Sequence, residues 1–201
     1  ETPSGDGPAL IVGSASLPPP INDLARHPWV AFRRDGVWER WEVMCCADGR
    51  PGLDTVERWS DADPLSEHGG GGDVRVHAVF TGAEAVRMSD CVQREAPQYP
   101  HRHTYLVWPG PNSNTFVDWL LRRCDIPVDL PVASIGKDYR GGFGVSETSG
   151  GTGFQIETPI VGLRLGASEG LVLHFFTFSI GLDVWPPALI LPAGRVGFAD
   201  R

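Results

Sequence analysis

Lysine is almost absent: Lys137 is the only one in 201 residues, and arginine carries the rest of the positive charge. No basic run offsets the 25 acidic residues, and the formal net charge is −8 with a sequence pI near 5.2. A nucleic-acid partner needs clustered cations to neutralise its phosphates, so that class is set aside. An anionic membrane surface is set aside for the same reason. The four cysteines, Cys45, Cys46, Cys91 and Cys124, show no CxxC spacing, which excludes a zinc ribbon. Adjacent Cys45 and Cys46 would strain to pair with each other, and Cys124 reads as a small packing thiol at the end of an apolar helix. Disulfide pairing and compartment stay open. Long apolar runs are missing as well. The longest, residues 171–191, is broken by His174, Asp183 and Pro186-Pro187, so no membrane-spanning helix is expected and these residues should be soluble. The chain opens on Glu1 rather than methionine, so a removed N-terminal signal or anchor and a periplasmic or other extracytoplasmic location are expectations.

What is plentiful is glycine and proline, 25 and 18 residues, which suits short strands joined by many turns. A hydrophobic content of 41%, with seven tryptophans and nine phenylalanines, is enough for the core of one domain. Residues 1–8 read as disordered, 9–15 as a first strand closed by Leu17-Pro18-Pro19-Pro20, and 27–32 with 37–44 as a hairpin about Asp35-Gly36. Residues 46–73 read as a polar surface loop. The stretch 73–80 alternates and predicts a strand with Val74, Val76, Ala78 and Phe80 inward. Thr81 can cap a helix over 83–96, with Ala85, Met88, Val92 and Ala96 on one face. A strand is predicted over 104–108, and a helix over 115–124 that is apolar nearly all round and so belongs in an interior. After a loop over 132–153, the runs between Phe154 and Phe198 predict an antiparallel meander. The fold class is therefore α+β, an antiparallel sheet around a buried helix. Residues 1–137 would form the core, and 138–201 a glycine-rich loop and C-terminal β-meander packed on it as one compact unit.

The stretch Leu106 to Cys124, LVWPGPNSNTFVDWLLRRC, carries the most chemistry. A rigid turn delivers Asn112, Ser113, Asn114 and Thr115 to the start of the predicted helix. The unpaired N–H groups and positive dipole end there suit an oxyanion, so Ser113 is the candidate nucleophile. A hydroxyl is un-ionised at neutral pH and needs a base in contact; His27 is the candidate, oriented by Glu42 on the pairing strand. Trp108, Asn112, Asn114, Thr115 and Lys137 are candidate substrate contacts. The competing reading is structural. Ser, Asn and Thr are preferred N-caps, and Thr115-x-x-Asp118 fits a capping box, which would leave Ser113 a cap in a non-catalytic module that binds an envelope ligand.

Other motifs carry less. Ser134-x-x-Lys137 matches the spacing of a serine–lysine acyl-enzyme, but Gly136 interrupts it and the companion motifs are missing. His101 and His103, with His77 or His68 as thirds, have no carboxylate or cysteine at ligand spacing, so a surface turn is expected and no metal. The glycine-rich run 140–153 lacks G-K-[ST], so no phosphate loop and no cofactor is expected there.

Together, WPGPNSNTFVDWLLR, ASIGKDY, the turn into GTGFQI and the late EGL, GLD and PALILP resemble the bacterial domain-of-unknown-function family 3750, in order from about His27 onward. HPW followed by VWERWEV matches the family's front half, and residues 47–73 depart from it. The family brings no established activity. A second similarity is to the circularly permuted papain-like hydrolases, which include lecithin retinol acyltransferase-like enzymes and some cell-wall peptidases. It rests on His27 opening the hairpin and on Asn112-Ser113-Asn114-Thr115-Phe116 standing where that group has an N-C-x-x-F string. This resemblance implies a permuted papain-like core and a serine-dependent hydrolase or acyltransferase acting on an amide or ester of a peptide, lipid or small molecule in the cell envelope. Serine stands where that group has cysteine.

Overall fold

Strand alternation and one two-residue turn build the first layer. The computed structural model describes residues 3–20, 25–44, 54–60, 63–66, 72–131, 134–137, 139, 143–148, 151–158, 160–167, 169–175, 178–184, 187–191 and 194–198. Strands β1 (Ala9–Ser16), β2 (Arg26–Arg34), β3 (Val37–Val43), β4 (Val56–Ser60) and β5 (Val74–Thr81) form an antiparallel sheet in the order β4-β3-β2-β1-β5. The β2–β3 hairpin pairs Arg34 with Val37 across Asp35 (φ 51°) and Gly36 (φ 78°). Two positive φ angles are what a two-residue turn needs to match strand twist.

Three sequence expectations change here. Strand β4 lies inside the predicted 46–73 loop; its pairing with the β3 edge, not its own weak alternation, makes it a strand. Residues 104–108 form no strand, and Leu106, Val107 and Trp108 stand exposed. Residues 3–8 are not loose: the Arg33 guanidinium donates to the carbonyls of Gly7 (2.9 Å) and Pro3 (3.3 Å).

The two faces of this sheet bury different things. One carries Leu10, Val12, Val30, Phe32, Trp41 and Val43 beneath helices α1 (Gly82–Glu95) and α2 (Ser113–Arg123). Helix α2 contributes Phe116, Val117, Leu120 and Leu121, all at most 1% exposed. Burial of each such side chain stabilises by roughly 1.5–3 kcal/mol. That packing holds an 11-residue helix that would be marginal alone. Thr81 takes the N-cap position of α1 but its side chain makes no capping bond. The opposite face of the sheet carries Ala15, Trp29 and Ala31, with Trp38 and Val74 packed against them.

Cys91 on α1 and Cys124 just past α2 form a disulfide, with Cα atoms 5.5 Å apart. Cys124 is therefore not a packing thiol; the two helices converge at these ends, which a separation of 33 residues does not reveal. Cys45 and Cys46 lie outside the described residues.

The second sheet is a plain meander of β6 (Gly144–Glu147), β7 (Gly153–Glu157), β8 (Val161–Gly166), β9 (Gly170–Phe175), β10 (Phe178–Val184), β11 (Pro187–Leu191) and β12 (Gly194–Gly197), in sequence order. Strand β6 begins inside the predicted 132–153 loop. The expected antiparallel C-terminal meander is present, and the chain is α+β in the broad sense.

Candidate functional site

Helix α2 begins two residues earlier than its sequence suggests, because Asn112 caps it. Asn112 is extended (φ −144°), and its Oδ1 accepts from the backbone N–H of Asn114 (3.0 Å) and Thr115 (3.2 Å). Thr115 Oγ1 accepts from the Asn112 N–H at 3.1 Å, closing a capping box. The box is thus Asn112-x-x-Thr115, not Thr115-x-x-Asp118; Asp118 instead pairs with Arg122 at 3.0 Å.

A second motif locks onto the first. The turn holding Ser134, Ile135, Gly136 and Lys137 wraps the helix start. Ile135 O accepts from Asn112 Nδ2 (3.0 Å) and Asn114 Nδ2 (2.8 Å), and Gly136 O accepts from Thr115 Oγ1 (2.7 Å). Asn112 Nδ2 also donates to Val107 O at 3.1 Å, so one side chain ties three segments together. Gly136 has φ +92°, and a Cβ there would lie 2.4 Å from Asn112 Nδ2. Only glycine suits both constraints. Ser134 and Lys137 are buried on a turn rather than a helix, so their S-x-x-K spacing does not put them on one helical face.

Ser113 is the first helical residue and 4% exposed. Its hydroxyl takes no part in the capping box and makes no hydrogen bond among the described residues. Ser113 is therefore not the cap. The first-turn N–H groups of Asn114 and Thr115 are already occupied by Asn112, which leaves little of the predicted oxyanion cradle.

The structure does not bring His27 to Ser113. On β2, His27 shares a face with Trp29 and Ala31, whereas α2 packs on the face of Val30 and Phe32. The sheet stands between them. His27 Nε2 instead donates to Glu42 Oε2 at 2.9 Å, and Arg40 ion-pairs with the same carboxylate oxygen at 2.6 Å, both charged side chains being fully buried. The Arg40 guanidinium lies 3.8 Å above the Trp29 ring and donates to Ser66 O. Burial alone would raise the Glu42 carboxyl, but the His27 hydrogen bond and the Arg40 charge win and hold it down at about 2. His27 and Glu42 do meet, as expected, but in a sealed cluster on the other side of the layer.

A polar group that sequence reasoning did not assemble, though it weighed His77 as a metal ligand, sits at the far end of β1. His77 Nε2 lies 2.7 Å from Ser14 Oγ, which also accepts from Arg26 Nε at 2.8 Å, while Arg26 pairs with Asp73 at 2.9 Å. Burial first, then the charges of Arg26 and Arg75, pull the His77 imidazole down to about 4. The available signal was an arginine and a histidine at strand positions amid apolar neighbours. His101 and His103 lie in the expected turn, His101 edge-on to Tyr99 and Tyr139 and His103 exposed. His68 lies outside the described residues. Among the described residues, no group of three or more His, Cys, Asp or Glu is placed to hold a metal ion. No described helix is long and apolar enough to cross a membrane.

No curated protein and no solved structure matches the chain. A family model described as "Protein of unknown function (DUF3750)" matches residues 10–139, which span the first sheet, both helices and the wrapping turn. That match covers more than half of the sequence and includes PGPNSNTF and SIGK, the two strings that interlock at the start of α2, and the chain belongs to this family.

Proposed function

We propose that the chain is a non-catalytic ligand-binding module of the cell envelope, which holds an amphipathic lipid or peptide group against Leu106, Val107 and Trp108. The observation that carries this reading is an exposed apolar segment fastened to a rigid base. These residues are 49%, 66% and 52% exposed, yet Val107 O is held by Asn112 and the Leu106 N–H by Pro111 O at 2.8 Å. A preorganised apolar ridge binds without the cost of ordering a loop. The Cys91–Cys124 disulfide supports an oxidising, extracytoplasmic compartment. Calorimetric titration with lysophosphatidylcholine monomers and with a muropeptide tests the proposal. One of the two should bind, and Trp108→Ala should weaken that binding at least tenfold; equal binding by the variant, or none by the wild type, would sink it.

A second reading, serine-dependent acyl hydrolysis or transfer on a permuted papain-like core, is favoured by one observation. The Ser113 hydroxyl is spared from capping at the first position of a buried helix. An early hairpin histidine followed by a helix packed on the sheet also supports that arrangement. His27 being committed to Glu42, the base would have to come from the wrapping turn, where Lys137 sits buried. A fluorophosphonate probe should then label the wild type and spare Ser113→Ala; equal labelling removes this reading.

A further inference from the structure

The C-terminal meander is inside out. Its buried side chains are mostly polar: Gln155, Glu157, Arg164, His174 and Ser179 are at most 5% exposed, beside the apolar Val172 (3%) and Ala188 (8%). Arg164 donates to Gln155 at 3.3 Å, and His174 Nδ1 lies 2.7 Å from Ser179 Oγ. Its outer face is apolar in register across the sheet. One cross-strand row runs Phe154, Leu165, Leu171, Leu182, Leu189 and Val196, each paired with the next. The row beside it runs Ile156, Leu163, Leu173 and Ile180. All six of the first row are 42–63% exposed, and Leu173 and Ile180 are 48% and 52% exposed.

We propose that this face is a homodimer interface, buried against the same face of a second copy of the chain. Its extent is the first reason. The exposed apolar side chains present on the order of 1,000 Å², against about 300–600 Å² for the largest patch of an ordinary monomer and about 800 Å² per partner in a standard interface. Register is the second. A sheet face that is apolar from β7 to β12, with the charged Glu147 only at the β6 edge, is one half of a face-to-face sheet pair, the two layers lying about 10 Å apart with side chains interdigitated. Symmetry is the third. Strand β9 is the middle of seven, so a two-fold axis near it sets Leu171 and Leu173 against their own copies.

A lipid bilayer fits this face less well. The strands are 4–7 residues long, below the roughly 9–11 residues that cross a bilayer. Among the described residues β6 and β12 each have one neighbour, and open sheet edges are not tolerated in hydrocarbon. A net charge of −8 adds repulsion from anionic headgroups.

Sedimentation velocity on the purified chain tests the proposal. The wild type should run as a dimer at low micromolar concentration. Leu173→Glu should raise the dimer dissociation constant by about a hundredfold or more, since like charges would be buried across the axis. Val86→Glu, at an exposed position on α1, should leave the dimer intact. Mixing Leu173→Glu with Leu173→Lys chains should restore a dimer, which a misfolded variant could not do. A monomeric wild type, a dimer indifferent to Leu173→Glu, or flotation of the wild type with neutral phosphatidylcholine vesicles in place of dimerisation would overturn it.

Discussion

Glu42 is the residue on which the covered face of the first sheet depends. Its carboxylate accepts from His27 and Arg40 with no exposure to water, and Arg40 in turn stacks on Trp29. Removing one partner of a buried pair leaves the other charge uncompensated, so Glu42→Gln should cost roughly 3–5 kcal/mol in chemical denaturation. A loss under 1 kcal/mol would show that Arg40 finds another acceptor. Acid acts on the same cluster and on His77. Both groups titrate lower in the folded state than unfolded: His77 falls from 6.5 to about 4, and Glu42 from 4.5 to about 2. As pH falls the unfolded chain takes up each proton first, so the stability they supply is complete above about pH 6.5. The His77 part, at most about 3 kcal/mol, is lost between pH 6.5 and 4, and the Glu42 part between 4.5 and 2. Urea midpoints at pH 7, 5 and 3 should fall in that order, and His77→Gln should flatten the first step. At this scale the sequence is legible for identity and poor for partners. Trp38, Arg40 and Glu42 alternating with Trp41 and Val43 announce two faces, but which of them faces a helix is settled by packing.

Among the elements, α2 and its wrapping turn act as one unit. Asn112 makes the cap and two further backbone ties, so Asn112→Ala should cost more than the usual 1 kcal/mol or so of a lost cap, about 2–3 kcal/mol by thermal melting. A cost under 1 kcal/mol would mean that water replaces those bonds freely. The Cys91–Cys124 bridge joins the ends of α1 and α2. Its 33-residue separation predicts a loss of about 3–4 kcal/mol for the Cys91→Ala/Cys124→Ala pair; an unchanged melting temperature would argue that the helices are held by packing alone. Elements with strong local signals are read correctly from sequence, namely the Asp35-Gly36 hairpin, both helices and the C-terminal meander. β5 is a strand as read, but its pairing with β1 shifts between Val12 and Gly13, so Val74 packs with Trp29 and Ala31 while Phe80 packs on the helix-covered face, not all on one inward face as expected. Strand β4 is missed because an edge strand borrows its conformation from β3, and 104–108 is misread because β-type residues here find no strand to pair with among the described residues, Tyr105 packing on the core while Leu106, Val107 and Trp108 stand exposed.

For the whole molecule, the two sheets pose opposite surface problems. The first covers one face with helices and the other with the segment that includes Pro64 and Ser66. The second turns its polar face inward and its apolar face outward. If that face pairs with its copy, stability becomes a function of protein concentration. The thermal midpoint should rise by several degrees over a hundredfold concentration range, and Leu173→Glu should abolish the dependence. A wild-type midpoint indifferent to concentration would argue against pairing in solution.

By itself the sequence determined the class of the chain, both helices and most of its strands, its acidic and lysine-poor composition, and the turn that starts a buried helix, because those follow from local periodicity and turn chemistry. Only the tertiary structure decided that Asn112 rather than Ser113 caps that helix, that SIGK wraps it, that His27 answers to Glu42 across the sheet from Ser113, and that Cys91 meets Cys124. The cap, the wrapping turn and the disulfide depend on how separate segments meet in space, and the His27–Glu42 pairing on strand register, where a one-residue shift would turn both side chains to the other face.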